Sequence, residues 1–473
     1  MLRILLFSLT LFILILKTTG QTNHSLSISN STLVSTSDQM PFWLWANTDG
    51  KIQENNSFLN FSEINAAVNY FFNDSKSFIK VGADLNYAMG NNSKYFQANQ
   101  LYTRINLNNW ELNIGAYYND LFFEGLSTSN GNIAKSRNAR PYPKISLRIT
   151  EYKPIPLIDQ YLSFKAEYDE GILNDNRYVD KTHLHHKSFY LKAEPFQNFS
   201  IQAGAEHFVM WGGTSQDENT GQLPTGVNAY LRYITGSRGD EDFLPTDQLN
   251  VAGNQYGSYQ LLLTQKFETF EAALNISHPF EDFSGVNLRN WPDNIIGLSL
   301  KLNDPEKFIT HILYEYTNTR QQGITDSLYR WIEEEQYWYR IHTDSYFAHG
   351  VYQSGVTYHQ KMMSSPLFKP VKIVDGISRG PESTRLYAHH IGLKGKLHKT
   401  IFWKGMLTYI KYFENWGQTN KLRNNQISAL LHFLYSGEKI PFDIELTLAG
   451  DIADANQNKL GIQLGLSYLF NKK

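Results

Sequence analysis

The stretch Ile79-Lys-Val-Gly-Ala-Asp-Leu-Asn-Tyr-Ala88 sets Ile79, Val81, Ala83, Leu85 and Tyr87 against Lys80, Gly82, Asp84, Asn86 and Ala88. Successive strand side chains point to opposite faces, so a period of two with one apolar and one polar face reads as a strand. The rhythm repeats. Leu162, Phe164, Ala166 and Tyr168 alternate with Ser163, Lys165, Glu167 and Asp169, and Phe199, Ile201, Ala203 and Ala205 oppose Ser200, Gln202, Gly204 and Glu206. Near the end, Ile462, Leu464, Leu466, Tyr468 and Phe470 alternate with Gln463, Gly465, Ser467 and Leu469.

Such segments recur at 58–71, 78–89, 99–108, 110–122, 143–151, 160–170, 186–194, 199–211, 258–267, 270–280, 295–303, 308–319, 350–359, 386–396, 401–414, 424–436, 441–450 and 459–470. That makes roughly eighteen, each near the length a tilted strand needs to cross a bilayer. Alternation alone does not separate a soluble sheet from a membrane barrel, but three features favour lipid. Aromatics gather at segment ends, as in Tyr117-Tyr118, Phe122-Phe123, Tyr314 with Tyr316, Tyr337-Trp-Tyr339 and Tyr468 with Phe470, where interfacial girdles sit. The opposite face carries charges that a packed sandwich core would not accept unpaired. The chain closes on an alternating strand ending Tyr468-Leu-Phe470, followed by Asn471 and two lysines. The expected fold is therefore all-β: a transmembrane antiparallel β-barrel of about 18 strands, since only a closed barrel satisfies strand hydrogen bonds in lipid.

Composition agrees. The chain has 473 residues, no cysteine, a formal charge of -2 and a mean hydropathy of -0.41. There is no thiol chemistry or disulfide framework, and no basic excess for gripping nucleic acid. Arg3 followed by the apolar run Ile4 to Leu16 and the small residues Thr18-Thr-Gly20 reads as a signal peptide over residues 1–20, exported and cleaved. Residues 21–57 read as an N-terminal periplasmic or plug segment, and 58–473 as the barrel. Tight connections such as Asn108-Asn109 alternate with long ones such as 123–142, 212–257 and 320–349. Strand parity in the two halves nevertheless disagrees by one crossing, so either the segment 337–342 hides a strand or one of the eighteen is spurious. Strands use less than half of the mature chain, so loops or a small plug are expected to occlude the lumen.

One segment breaks the rhythm: Ser129-Asn-Gly-Asn-Ile-Ala-Lys-Ser-Arg-Asn-Ala-Arg-Pro-Tyr-Pro-Lys144. Asn130-Gly-Asn132 marks a turn, Pro141 and Pro143 bar ladder hydrogen bonds, and Arg137 and Arg140 are charged forks with no acid beside them. Gly125-Leu-Ser127 with Ser136-Arg-Asn-Ala-Arg-Pro-Tyr-Pro143 resembles a segment of the capsule assembly Wzi family. Met40-Pro-Phe-Trp43 with Asn47 and Gly50, Leu184-His-His-Lys-Ser-Phe-Tyr190, and Gly204-Ala-Glu-His207 with Trp211-Gly-Gly213 fall in that family's order.

The resemblance spans about residues 40–470, with its specific motifs in the first half. It implies an eighteen-stranded, plugged outer-membrane barrel of a Gram-negative cell that binds capsular polysaccharide as a lectin and not as a catalyst. Its implied partners are surface polysaccharide, outer-membrane lipid and the capsule export machinery; no cofactor is implied.

Sugars are held by aromatic faces and by carboxylate, amide and guanidinium groups. Arg137, Asn138, Arg140 and Tyr142 supply these in one loop, and Glu206, His207 and Trp211 supply them again. A competing reading pairs Arg140 with Glu206 inside the lumen as a tether for the plug. His183 and His185 share a strand face, but with no third ligand fixed nearby a polar lumen face explains them better than a metal. Glu206-His207 could be half of a hydrolase, yet no serine stands in a recognisable elbow. The alternative function is a porin or substrate-specific channel.

Overall fold

The computed structural model describes residues 21–72, 76–156, 158, 161–281, 283–322, 329–332, 337–340, 345–368, 371–413, 425–454 and 458–470. Residues 1–20, where the signal peptide is expected, lie outside them.

Eighteen antiparallel strands form one closed sheet: β1 Gln21–Ser35, β2 Phe58–Phe71, β3 Phe78–Gly90, β4 Lys94–Leu107, β5 Trp110–Ala116, β6 Lys144–Ile149, β7 Leu162–Leu173, β8 Thr182–Phe196, β9 Phe199–Trp211, β10 Asn254–Lys266, β11 Phe270–Phe280, β12 Asn294–Leu302, β13 His311–Asn318, β14 Leu386–His398, β15 Ile401–Tyr412, β16 Asn425–Tyr435, β17 Asp443–Ala453 and β18 Lys459–Phe470. A two-residue ladder, Lys153–Pro154, lies beside β7. Strand β1 closes the cylinder. It pairs with β2 from Gln21↔Phe71 to Val34↔Phe58, and with β18 from Leu26↔Phe470 to Ser35↔Gly461. No edge is left to template aggregation.

The barrel thus begins within the segment expected to be periplasmic or plug, and only residues 36–57 of it connect β1 to β2. The sequence hides β1 because its inward positions are Ser25, Ser27, Ser29 and Ser31, while Asn30 and Thr32 interrupt the outward apolar set. Those outward polar groups bond sideways to β2: the Asn30 amide donates to Ser62 Oγ at 2.8 Å, and the Asn60 amide to Thr32 Oγ1 at 3.0 Å. Conversely, the expected strand 350–359 is not in the barrel. Only Thr357–Tyr358 is paired there, with Lys361–Met362, in a tight hairpin. Tyr329–Ile332 and Tyr337–Arg340 form a separate two-stranded ladder. One gain and one loss keep the number at eighteen and settle the parity.

Every connection at one end is short or modest: 72–77, 108–109, 150–161, 197–198, 267–269, 303–310, 399–400 and 436–442. The opposite end carries 36–57, 117–143, 212–253, 281–293 and 319–385. Both described chain ends lie at the short-turn end. In outer-membrane barrels the short turns are periplasmic and the long loops external.

Alternation sorts the wall as expected. Leu460, Ile462, Leu464 and Leu466 on β18, with Ile391 on β14 and Leu431 on β16, are exposed on the outside. Their neighbours Leu386, Ala388 and His390 turn inward and are buried. Tyr314, Tyr316, Tyr468 and Phe470 face outward in this way. Tyr117 and Tyr118, expected in a girdle, instead follow β5 into the lumen, where Tyr117 is buried and the Tyr118 hydroxyl donates to Asp84.

The main core is inside the cylinder. Met40, the short helix α1 Phe42–Trp45, Ile133, Ala134, Tyr346, Phe347, Leu367 and Phe368 pack with inward wall residues as one buried cluster. A second, smaller core lies outside. Helix α2 Val227–Thr235 sets Ala229 and Tyr233 against Val209, whose strand neighbours Phe208 and Met210 point inward.

Candidate functional site

Residues 129–144 do not hang free; they are laced into the lumen. Asn275 donates to Gly131 O at 2.9 Å, Ile133 N–H to Ser277 Oγ at 3.0 Å and Ser258 Oγ to Asn132 Oδ1 at 2.9 Å. Just upstream, the buried Glu315 of β13 accepts three hydrogen bonds: Ser127 Oγ at 2.6 Å, Thr128 N–H at 2.7 Å and Thr128 Oγ1 at 3.0 Å. A chain of donors fixes the next residue. Trp43 Nε1 donates to Thr408 Oγ1 at 3.1 Å, which lies 2.8 Å from His390 Nδ1, while His390 Nε2 stands 2.7 Å from Leu126 O. This gives His390 a structural place that the sequence left blank. Asp451 accepts from Phe42 N–H at 2.9 Å and holds α1 to β17.

The sequence-derived binding residues separate into four groups. Arg137 is a tether: its guanidinium makes a forked pair with Asp49, Nε at 2.9 Å from Oδ1, and lies over the Tyr118 ring. Asn138 is another, donating to Met362 O at 3.0 Å from full burial. Arg140 borders the open long-loop chamber, whereas Tyr142 lines a small inner pocket and packs against the core. Arg140 does not meet Glu206. It donates from Nη2 to Ala98 O at 2.8 Å, and its buried Nε has no partner. Tyr142 stacks edge-on against Tyr358.

Glu206 belongs to a different network. It accepts from the Tyr190 hydroxyl at 2.6 Å, and Lys135 Nζ lies 3.9 Å from it and 3.8 Å from Glu167. Burial alone would lower the Lys135 ammonium, but the two carboxylates more than offset this and hold it above its ordinary value. His207 and Trp211 are odd-numbered neighbours on β9 and face outward, opposite to Glu206. His207 bonds Gln255 at 2.7 Å and Trp211 packs against Tyr233 of α2. The Glu206-His207 dyad is therefore split by the wall, because adjacent strand residues point to opposite faces.

His183 and His185 also face outward. His183 stacks on Trp211, and buried His185 pairs with Glu170 at 2.5 Å. The histidine that does approach carboxylates is His186: Nδ1 lies 3.0 Å from Asp169 and Nε2 3.3 Å from Glu206, and its ligand-type atoms fall within 4.8 Å of those of Glu167 and Asp169. Lys144 already takes Asp169 at 2.6 Å.

Described residues border two chambers in the lumen. Toward the short-turn end, about 270 Å³ is lined by Tyr118, Lys135, Tyr152, Lys165, Tyr190 and Glu206 among others. Toward the long-loop end lies about 470 Å³ bordered by Gly50, Gln53, Asn55, Asn56, Asn92, Ser93, Tyr95, Phe96, Gln97, Arg140, Asp175, Asn176, Tyr358, His359, Gln360 and Lys361. A small pocket of about 40 Å³ beside Tyr117, Lys135 and Arg140 shares Lys135 with the first and Arg140 with the second. Gly50 sets one wall of the larger chamber. At φ +67° it lets the turn lie on the Arg140 backbone, where a Cβ would stand 2.7 Å from Arg140 N. Gly50→Val is expected to displace this turn and lower the urea midpoint of unfolding, since both φ and space oppose it.

The long loops are pinned by a second carboxylate that sequence reading missed. Buried Asp293 accepts from Asn318 Nδ2 at 3.1 Å, Gln321 N–H at 3.0 Å, Gln322 N–H at 2.7 Å and the Tyr346 hydroxyl at 2.9 Å. Burial pushes it up to about 6, with the surrounding donors pulling the other way. A raised folded-state value means that its contribution to stability is full below about pH 4 and fades as pH rises through about 6. Urea midpoints are expected to fall between pH 5 and 7.5 by an amount that Asp293→Asn removes.

An eighteen-stranded closed cylinder, apolar outside and filled by its own connections, defines the class: a plugged outer-membrane β-barrel. A family model described as capsule assembly protein Wzi matches residues 44–372. The chain belongs to that family. Among solved structures it resembles Escherichia coli Wzi, an outer-membrane protein involved in group 1 capsule assembly and described as a carbohydrate-binding β-barrel. That match has 13% identity and a TM-score of 0.58, over 98% of this chain and 87% of the other. It also resembles Pseudomonas aeruginosa OccK5 at 11% identity and a TM-score of 0.48, over 95% and 98%. Acinetobacter baumannii OccAB4 follows at 10% and 0.46, over 96% and 99%. No curated protein matches.

Proposed function

We propose that this barrel binds surface polysaccharide in the chamber at its long-loop end and so holds capsular material at the cell surface. The observation that carries the reading is that chamber, about 470 Å³ of amides, tyrosines and one guanidinium, floored by a plug tied to the wall. Tyr95 and Tyr358 offer ring faces, Asn55, Asn92, Gln97 and Asn176 offer paired donor and acceptor groups, and Arg140 offers free N–H groups: the vocabulary of sugar recognition. Because Arg137 and Asn138 are spent on plug contacts, their part is to present Arg140.

His207 and Trp211 support the outer wall. Glu206 serves the inner network. The capsule-family membership supports polysaccharide as the ligand, and the tied plug argues against a permanently open channel.

The detergent-purified protein, mixed with surface polysaccharide from its source bacterium, is expected to co-sediment with it and to give no large steady current in planar bilayers. Absence of binding together with a steady conductance would turn the assignment toward a channel.

A further inference from the structure

The long-loop chamber holds two cations for which, among the described residues, no carboxylate lies at ion-pair distance; Glu54 attracts Lys361 but does not offset its burial. Arg140 uses one Nη2 hydrogen bond on Ala98 O, while its Nε is buried and unpartnered. Lys361 is 6% exposed, with its Nζ 4.3 Å from the centroid of the Trp45 ring. Among the described residues, neither makes an ion pair. The one acid on the lining, Asp175, is already used: Arg177 Nη1 lies 3.0 Å from Oδ1, and His359 N–H donates to Oδ2 at 2.9 Å. His359 adds no third positive charge, since burial draws its imidazole down to about 4 and leaves it neutral.

A buried charge with no partner is costly, and a protein retains one where something else supplies the opposite sign. A guanidinium with free N–H groups matches the two oxygens of a carboxylate or phosphate, and an ammonium adds a point charge. Burial lowers Lys361 to about 8, so it is still mainly protonated at neutral pH. Around the two cations, Gln97, Asn176 and Gln360 are neutral and suited to hydroxyls.

We infer that this chamber selects an anionic sugar, taking a carboxylate or phosphate substituent on Arg140 and Lys361 while the amides read the neighbouring hydroxyls. The inference rests on the glycan-binding reading and narrows it.

The test is calorimetric titration of the full chain in detergent with oligosaccharides cut from the source bacterium's surface polysaccharide. They are used native, carboxyl-reduced with carbodiimide and borohydride, or dephosphorylated with hydrogen fluoride. One treatment is expected to weaken binding by roughly tenfold or more, and which one does so identifies the anion. Arg140→Gln and Lys361→Met are expected to lose the same factor toward native glycan and little toward the treated one, with heat-modifiable migration confirming a folded barrel. Equal affinity for all three glycans overturns the inference and leaves glycan binding standing. No affinity for any of them overturns both. If a variant fails to fold, the comparison of the three glycans on the unaltered protein decides alone.

Discussion

Glu315→Ala is expected to release the plug and let the barrel conduct. The substitution removes one acceptor group and strands three donors, Ser127 Oγ, Thr128 N–H and Thr128 Oγ1, in a buried site. Each buried polar group left unpaired costs about 1–3 kcal/mol, so the attachment weakens by roughly 3 kcal/mol or more. The wall does not depend on it, because β13 keeps its ladders to β12 and β14. The variant should therefore migrate as a folded, heat-modifiable barrel, yet show channel openings in planar bilayers where the unaltered protein is silent. Glu315→Gln, which keeps one acceptor oxygen, should fall between the two. An Ala variant as silent as the parent would mean that the plug is held by other contacts.

The second large effect is expected at Asp49 and Arg137. Asp49→Ala leaves a guanidinium inside the lumen over the Tyr118 ring without its forked partner, and removing one member of a largely buried pair costs roughly 3–5 kcal/mol. Arg137→Met should cost a similar amount. The double variant should cost clearly less than the sum, because the second change removes the charge that the first left unpaired. Urea midpoints of the four proteins measure the coupling. Simple additivity would show that the pair contributes nothing as a pair. Asp49 sits in a turn that Asn47, Asp49 and Gly50 enter with positive φ, so its backbone is already committed to this position.

Most of the cylinder was legible because lipid outside and a polar lumen inside impose a two-residue period on every strand with ordinary composition. Where composition departs from that, the period disappears. In β1 serines face inward and Asn30 faces outward, so hydropathy carries no alternation even though the pairing is regular on both sides. The false strand at 350–359 failed for the opposite reason. Val351, Tyr352, Val356 and Tyr358 are apolar because they pack within the plug, and a buried loop can imitate a strand over ten residues. The tyrosines at 117 and 118 deceived in the same way.

The binding loop was visible as an interruption, and its arginines as its distinctive chemistry. What the sequence could not supply was the partner of each. Asp49 lies 88 residues from Arg137, Glu315 lies 188 from Ser127, and Lys361 reaches the chamber from just beyond the segment 350–359 that read as a strand. Period-two reasoning did contain one unused clue: it assigns Glu206 and His207 to opposite faces, so the two were never available to one ligand. The lone carboxylate in Tyr314-Glu-Tyr316, inward between outward tyrosines, was a second.

The central claim, a filled barrel whose long-loop chamber faces outward and holds polysaccharide, can be tested with one labelling measurement, since the chain has no cysteine of its own. Asn176→Cys places a thiol on the chamber lining and Gln197→Cys one at the short-turn end. In intact cells stripped of polysaccharide, a membrane-impermeant maleimide is expected to label position 176 and not 197, and adding back the polysaccharide is expected to protect 176. Labelling of 197 instead, or labelling of 176 that the polysaccharide leaves unchanged, would contradict the account.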